Sequence, residues 1–256
     1  MITLLNKFDD KYVIKEDDVL QIVLYYLKEN NLDSILSDVK FDDDFKYMAS
    51  YDLRNNKVIL NNEKMWKYCY LKTDKVINDF KINSDYYTYF LNFYYIAIIF
   101  HELTHVLQKY NYEKTLSNNK LYVYLYELCR FLEYGDIASY NKNNNLFPME
   151  IEANNEGLLK AYKLMSYTKL PTKENKIMYL EYLRKVLSNY KKINKFRVLT
   201  PLDKLANKDS RINLNEISEL VDEVNLNRIS RLNYGLDITS REYDIVNKEK
   251  QKILLR

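Results

Sequence analysis

Apolar positions recur along this chain in two periods, and the change between them divides it into elements. From Glu16 to Asn30 the apolar residues Val19, Leu20, Ile22, Val23, Tyr26 and Leu27 follow an acidic first turn, a spacing that predicts an amphipathic helix. From Tyr47 to Leu60 the period shortens. Tyr51 and Leu53, then Val58 and Leu60, flank Asn55-Asn56, which predicts a β-hairpin with an Asn-Asn turn. Asn61 or Asn62 is expected to cap a further helix carrying Met65, Trp66, Tyr68 and Leu71.

The most apolar run, Tyr89 to Val106, lies in a helix expected from Ser84 or Asp85 to about Lys109. On its wheel Tyr94, Ala97, Ile98, His105 and Gln108 fall within about 60° of His101, while Ile96, Ile99, Leu103, Val106 and Leu107 point away. A helix apolar on its back face as well is buried on nearly all sides, and its internal charges make it a core helix rather than a membrane span. Beyond it the pattern predicts a Tyr- and Leu-rich helix over Leu121–Tyr134 and a polar loop at Asn141–Asn145. Another helix is expected to open at Pro148, and an amphipathic one over Lys173–Lys192. Helical stretches near Leu214–Val224 and Ser240–Leu254 close the chain.

Composition narrows the function more by exclusion than by assertion. A chain of 256 residues, 47% of them apolar or aromatic, can bury a sizeable core, and three scattered glycines supply no phosphate-cradling loop. A net charge of +3 creates no field for polyanions, so no nucleic-acid partner is expected. The basic stretch Lys191, Lys192, Lys195 and Arg197 reads as a solvated helix end, and Arg228, Arg231, Arg241 and Glu242 as a solvated face. Cys69 and Cys129 are too few for a disulfide framework and are read as reduced core residues. The first ten residues lack the pattern of a secretory signal, so the expected location is cytoplasmic.

Both histidines of the chain stand in His101-Glu102-Leu103-Thr104-His105. Four apart on a helix, they lie about 40° apart around the axis and can share one metal ion, with Glu102 placed to act on a metal-activated water. Each alone would be read as a core histidine satisfied by hydrogen bonds; the intervening acid and the apolar helix turn the reading toward a zinc site. A catalytic zinc needs a third protein ligand and an open position. No histidine remains, so the third ligand should be a carboxylate.

The helix after Pro148 supplies the donors. Its large apolar residues Ile151, Leu158, Leu159, Tyr162 and Met165 mark a core side, with Glu152 and Glu156 one turn apart on one flank and Glu150 on the other. Glu152 is favoured as ligand over Glu150, which also suits a helix N-terminus, and Glu156 ranks third. Glu156 is alternatively a partner orienting a histidine, or a plain solvated acid. A structural zinc would close its fourth position with another cysteine or histidine, and none is at hand.

The run Ile98 to Gln108, with Glu152-Ala153-Asn154-Asn155-Glu156 downstream, resembles the gluzincins, zinc peptidases whose third ligand is a glutamate on a second helix. Within them, Glu152-Ala153-Asn154 after the motif is similar to the ImmA/IrrE-like peptidases and their phage- and mobile-element-encoded relatives. The resemblance spans about Tyr47 to Met165, and the 47 residues from His105 to Glu152 exceed the interval in compact gluzincins. It implies that the hairpin precedes the motif helix as a strand pair whose edge aligns an extended substrate.

The expected protein is α+β and mainly α. A zincin-like metallopeptidase domain over 1–170, with a small antiparallel sheet, precedes a helical extension over 171–256. The expected activity is zinc-dependent hydrolysis of peptide bonds, endopeptidase before exopeptidase, with Glu102 as general base and His101, His105 and Glu152 as ligands. The alternative is an inactive zinc-binding regulator, scaffold or virion component, and hydrolysis of a non-peptide amide is a further possibility within enzymes.

Overall fold

The computed structural model describes residues 2–32, 35–115 and 148–196. The expected helix over Leu121–Tyr134, the loop at Asn141–Asn145, the closing helical stretches, Cys129 and the four charged residues from Arg228 to Glu242 lie outside them. The chain divides into two compact units, Met1–Tyr110 with Ala153–Tyr182, and Asn111–Glu152 with Leu183–Arg256. The division passes through three helices.

The first unit is built around one helix. A short α1 (Ile2–Leu5) precedes α2 (Glu16–Glu29), whose first turn is fixed by Asp18: its carboxylate accepts the Lys15 amide at 2.9 Å. Three strands follow, β1 (Asp38–Phe41), β2 (Ala49–Asp52) and β3 (Lys57–Leu60). Next come α3 (Asn62–Phe80), a 3₁₀ turn at Ser84–Tyr86, and α4 (Tyr87–Thr115), which carries both histidines. The expected core helix therefore extends about a turn and a half past Lys109.

The hairpin forms as expected: β2 and β3 pair antiparallel, with Ala49 opposite Leu60 and Tyr51 opposite Val58. Its turn runs over residues 53–56, where Asp52 Oδ1 accepts the Arg54 and Asn55 amides and Asn56 takes the left-handed conformation that its short polar side chain tolerates. The sheet is not wholly antiparallel. β1 pairs parallel to β3, giving the mixed order β1-β3-β2. Asn61 locks the sheet to α3: its side-chain oxygen accepts the Lys64 amide at 2.8 Å, while its Nδ2 donates to the Asp43 and Phe45 carbonyls.

From Tyr89 to Phe100 every residue of α4 is buried, including Asn92, which bridges the Ile14 amide and the Tyr12 carbonyl. The other elements attach to it by specific contacts. Tyr26 of α2 meets the Phe100 ring, Trp66 of α3 stacks on Tyr95 at 4.1 Å, and Lys109 donates to Leu53 O and Asn56 Oδ1 in the hairpin turn. Two further helices are described, α5 (Pro148–Met165) and α6 (Thr172–Phe196); Tyr94 of α4 donates to Glu181 of α6 at 2.8 Å. One stretch among the described residues, Ser84–Asn111, is long and apolar enough to cross a membrane, but 83% of its apolar window is buried within the fold.

Candidate metal centre

Gly157 sets how α5 meets the motif helix. A Cβ built on it would lie 2.5 Å from the Ala97 carbonyl oxygen and 3.1 Å from the His101 amide nitrogen, so only a glycine lets the two backbones approach this closely. The atoms it touches are the two ends of the helical hydrogen bond that leads into His101. Ala153 and Ala161, four residues to either side, are fully buried as well. Gly157 forms the close contact, and its position fixes which side of α5 faces α4 there.

That phase decides which glutamate reaches the histidines. At 100° per residue, Glu150 stands seven residues before Gly157 and falls within about 20° of it on the wheel, two turns down the same face. Glu152 falls about 140° away, on an outer stripe with Glu156, Lys160 and Lys163. The helix is continuous from Pro148 to Met165, so its first turn is carried by the segment that packs on Ala97 and His101. Nitrogens of His101 and His105 and a carboxylate oxygen of Glu150 accordingly lie within 4.8 Å of one another, close enough to hold a metal ion. Glu152, the ligand favoured from the sequence, is not in this group. The apolar stripe left Glu150 and Glu152 on opposite flanks; the close approach at Gly157 puts Glu150 on the facing side.

Glu156 is not in the group either. Its charge acts instead on Lys160, whose pKa is lowered chiefly by burial, an effect Glu156 opposes. Lys160 in turn lies over the Tyr26 ring, 4.6 Å from its centroid.

Within the motif, helical spacing does what the sequence predicts. The Nε2 atoms of His101 and His105 face each other at 3.1 Å. Two nitrogens bound to one tetrahedral zinc at ordinary bond lengths stand about 3.4 Å apart, so the pair needs only a small adjustment to share an ion. Glu102 is buried, and its Oε1 lies 3.9 Å from His101 Nε2, on the side of the ligand atoms. Thr104 is also buried, its hydroxyl returned to the Phe100 carbonyl at 2.7 Å, which keeps it off the site.

The sequence reading placed Gln108 on the histidine face without giving it a role. It is buried, and its Oε1 meets His105 Nδ1 at 2.8 Å. Its signal in the sequence was the i+3 spacing from His105, which puts two side chains in contact on one face. Two imidazoles and a carboxylate are donor types that can hold a metal ion together. Comparison with protein families, with curated proteins and with solved structures finds no match to this chain.

Proposed function

We propose that this chain is a zinc-dependent hydrolase acting on peptide bonds, with His101, His105 and Glu150 holding the ion and Glu102 as general base. The observation that carries the reading is the convergence of these three donors on a motif whose acid is buried beside them. A two-histidine, one-glutamate set leaves a coordination position open, as catalytic zinc sites do and structural ones do not. The chemistry such an ion supplies is Lewis acidity toward a carbonyl and an acidified water.

Glu102 supplies the proton transfers. Its carboxylate takes the proton of the attacking water and delivers it to the departing amine. Burial holds it in one position and excludes bulk water from competing for that proton. The hairpin supports substrate alignment: Lys109, one turn beyond His105, ties the Leu53–Asn56 turn to the motif helix, and among the described residues β2 pairs only with β3. An extended peptide adding to β2 would run beside the site with its backbone hydrogen-bonded.

The test is metal content after purification without added metal, for wild type, Glu150→Ala and Glu152→Ala. About one zinc per chain in wild type and Glu152→Ala, lost in Glu150→Ala, is expected of a catalytic site of this kind. Loss with Glu152→Ala and not with Glu150→Ala would overturn the ligand assignment. No zinc in wild type, even after reconstitution, would return both histidines to the core. Zinc held without turnover of any peptide would favour a binding or scaffold protein that keeps the motif.

A further inference from the structure

We propose that Gln108 is a positioning residue that fixes the tautomer of His105, leaving its Nε2 free to accept or to ligate before any ion arrives. The inference rests on the metal site proposed above, but it concerns a state of the metal-free protein. A neutral imidazole carries one proton, on Nδ1 or on Nε2, and only the unprotonated nitrogen can ligate a metal. An amide oxygen cannot donate. The 2.8 Å contact between Gln108 Oε1 and His105 Nδ1 therefore requires the proton to sit on Nδ1. Nε2 is left with its lone pair and accepts across the 3.1 Å contact with His101 Nε2, whose ring supplies the hydrogen.

Burial gives this contact its force. Gln108 is 3% exposed, so water cannot replace the amide as acceptor without a rearrangement of the helix face. The partner comes from the same helix, one turn further on, so the contact is set by the helical spacing of α4. In metal sites generally, partners of this kind are worth about 10–100-fold in metal affinity.

The test uses the metal-free full chain labelled with ¹⁵N. Two histidines give two imidazole patterns in a long-range ¹H–¹⁵N spectrum, assigned by the one that disappears in His105→Ala. Wild type should show His105 protonated on Nδ1. Gln108→Met, close in volume and without an acceptor, should lose that preference and bind zinc 10–100-fold more weakly. Gln108→Glu, which keeps an acceptor at the same place, should restore both. Circular dichroism of each variant checks that α4 is intact. An Nε2-protonated His105 in wild type, or an unchanged tautomer in Gln108→Met, overturns the proposal. If wild type binds no zinc, the metal reading fails and the tautomer measurement still decides this one.

Discussion

Replacing Gly157 by alanine tests the contact on which the placement of Glu150 depends. The added methyl would stand 2.5 Å from the Ala97 oxygen, where ordinary contact begins at 3.4 Å, so α5 and α4 must part by up to about 0.9 Å. Both atoms it meets are backbone, and neither can swing aside. Two effects oppose each other. Alanine inside a helix is favoured over glycine by about 1 kcal/mol, whereas forcing a methylene into a packed contact costs about 1–3 kcal/mol. With a gap this short the cost should lie toward the upper end, leaving a net loss of about 1–2 kcal/mol. Urea denaturation of the metal-free proteins measures that difference. The same displacement acts on the metal site, where bond lengths tolerate only about 0.2 Å, so zinc affinity should fall further than in a variant that loses equal stability elsewhere. A Gly157→Ala protein stabilised by the full helix-propensity gain, with zinc affinity unchanged, would refute the close approach and the helix phase derived from it.

Three further outcomes follow from other contacts. Glu102→Gln should keep its zinc and lose about 10²–10⁴-fold in turnover of any peptide substrate, as for removal of a general base; equal turnover in both proteins would remove Glu102 from the chemistry. Asn61→Ala removes a helix cap and two buried donors at once, so it should cost about 3 kcal/mol in denaturation experiments, and a loss below about 1 kcal/mol would show the Asp43 and Phe45 carbonyls to be satisfied without it. Asp18 feels burial most, which raises its pKa, but hydrogen bonds from Tyr12, the Lys15 amide and Lys7 outweigh this and hold it below the usual carboxylate value. A depressed pKa means stability that is present above the unfolded value near 4 and is lost as pH falls through the folded one. Asp18→Asn should therefore cost about 2 kcal/mol at pH 7 and progressively less in acid; a cost that stays constant down to about pH 2 would exclude the linkage.

Much of this fold was legible because its signals are local. The motif helix declared itself by an apolar run too continuous for any surface helix, and all of it from Tyr89 to Phe100 is buried. The boundaries of α2 were set by an acidic first turn and those of the hairpin by Asp52 and Asn56, each acting within a few residues of itself. β1 escaped for the opposite reason. Its four residues, Asp38-Val39-Lys40-Phe41, include none that is fully buried, and the pairing that defines it is a parallel one to a strand about twenty residues away. Alternation over four residues is too short a signal, and a parallel partner leaves no turn to betray it.

The third ligand exposes a more general limit. Reading α5 by its bulky residues assumes that the side with most apolar surface faces the neighbour that matters. That holds where side chains fill the space between elements. It fails where two helices meet backbone to backbone, because the residues at such a contact are the ones with least side chain, and a hydropathy pattern hardly registers them. Gly157 sits at that contact, with Ala153 and Ala161 buried four residues to either side, while the bulkier Leu158 and Tyr162 are only half-buried and Ile151, Leu159 and Met165 are buried. A glutamate placed seven residues before a lone helical glycine is then a better candidate for the facing site than one chosen for its pairing with a second acid one turn on. Metal content of Glu150→Ala beside Glu152→Ala decides between those two ways of reading the helix as directly as it decides the ligand.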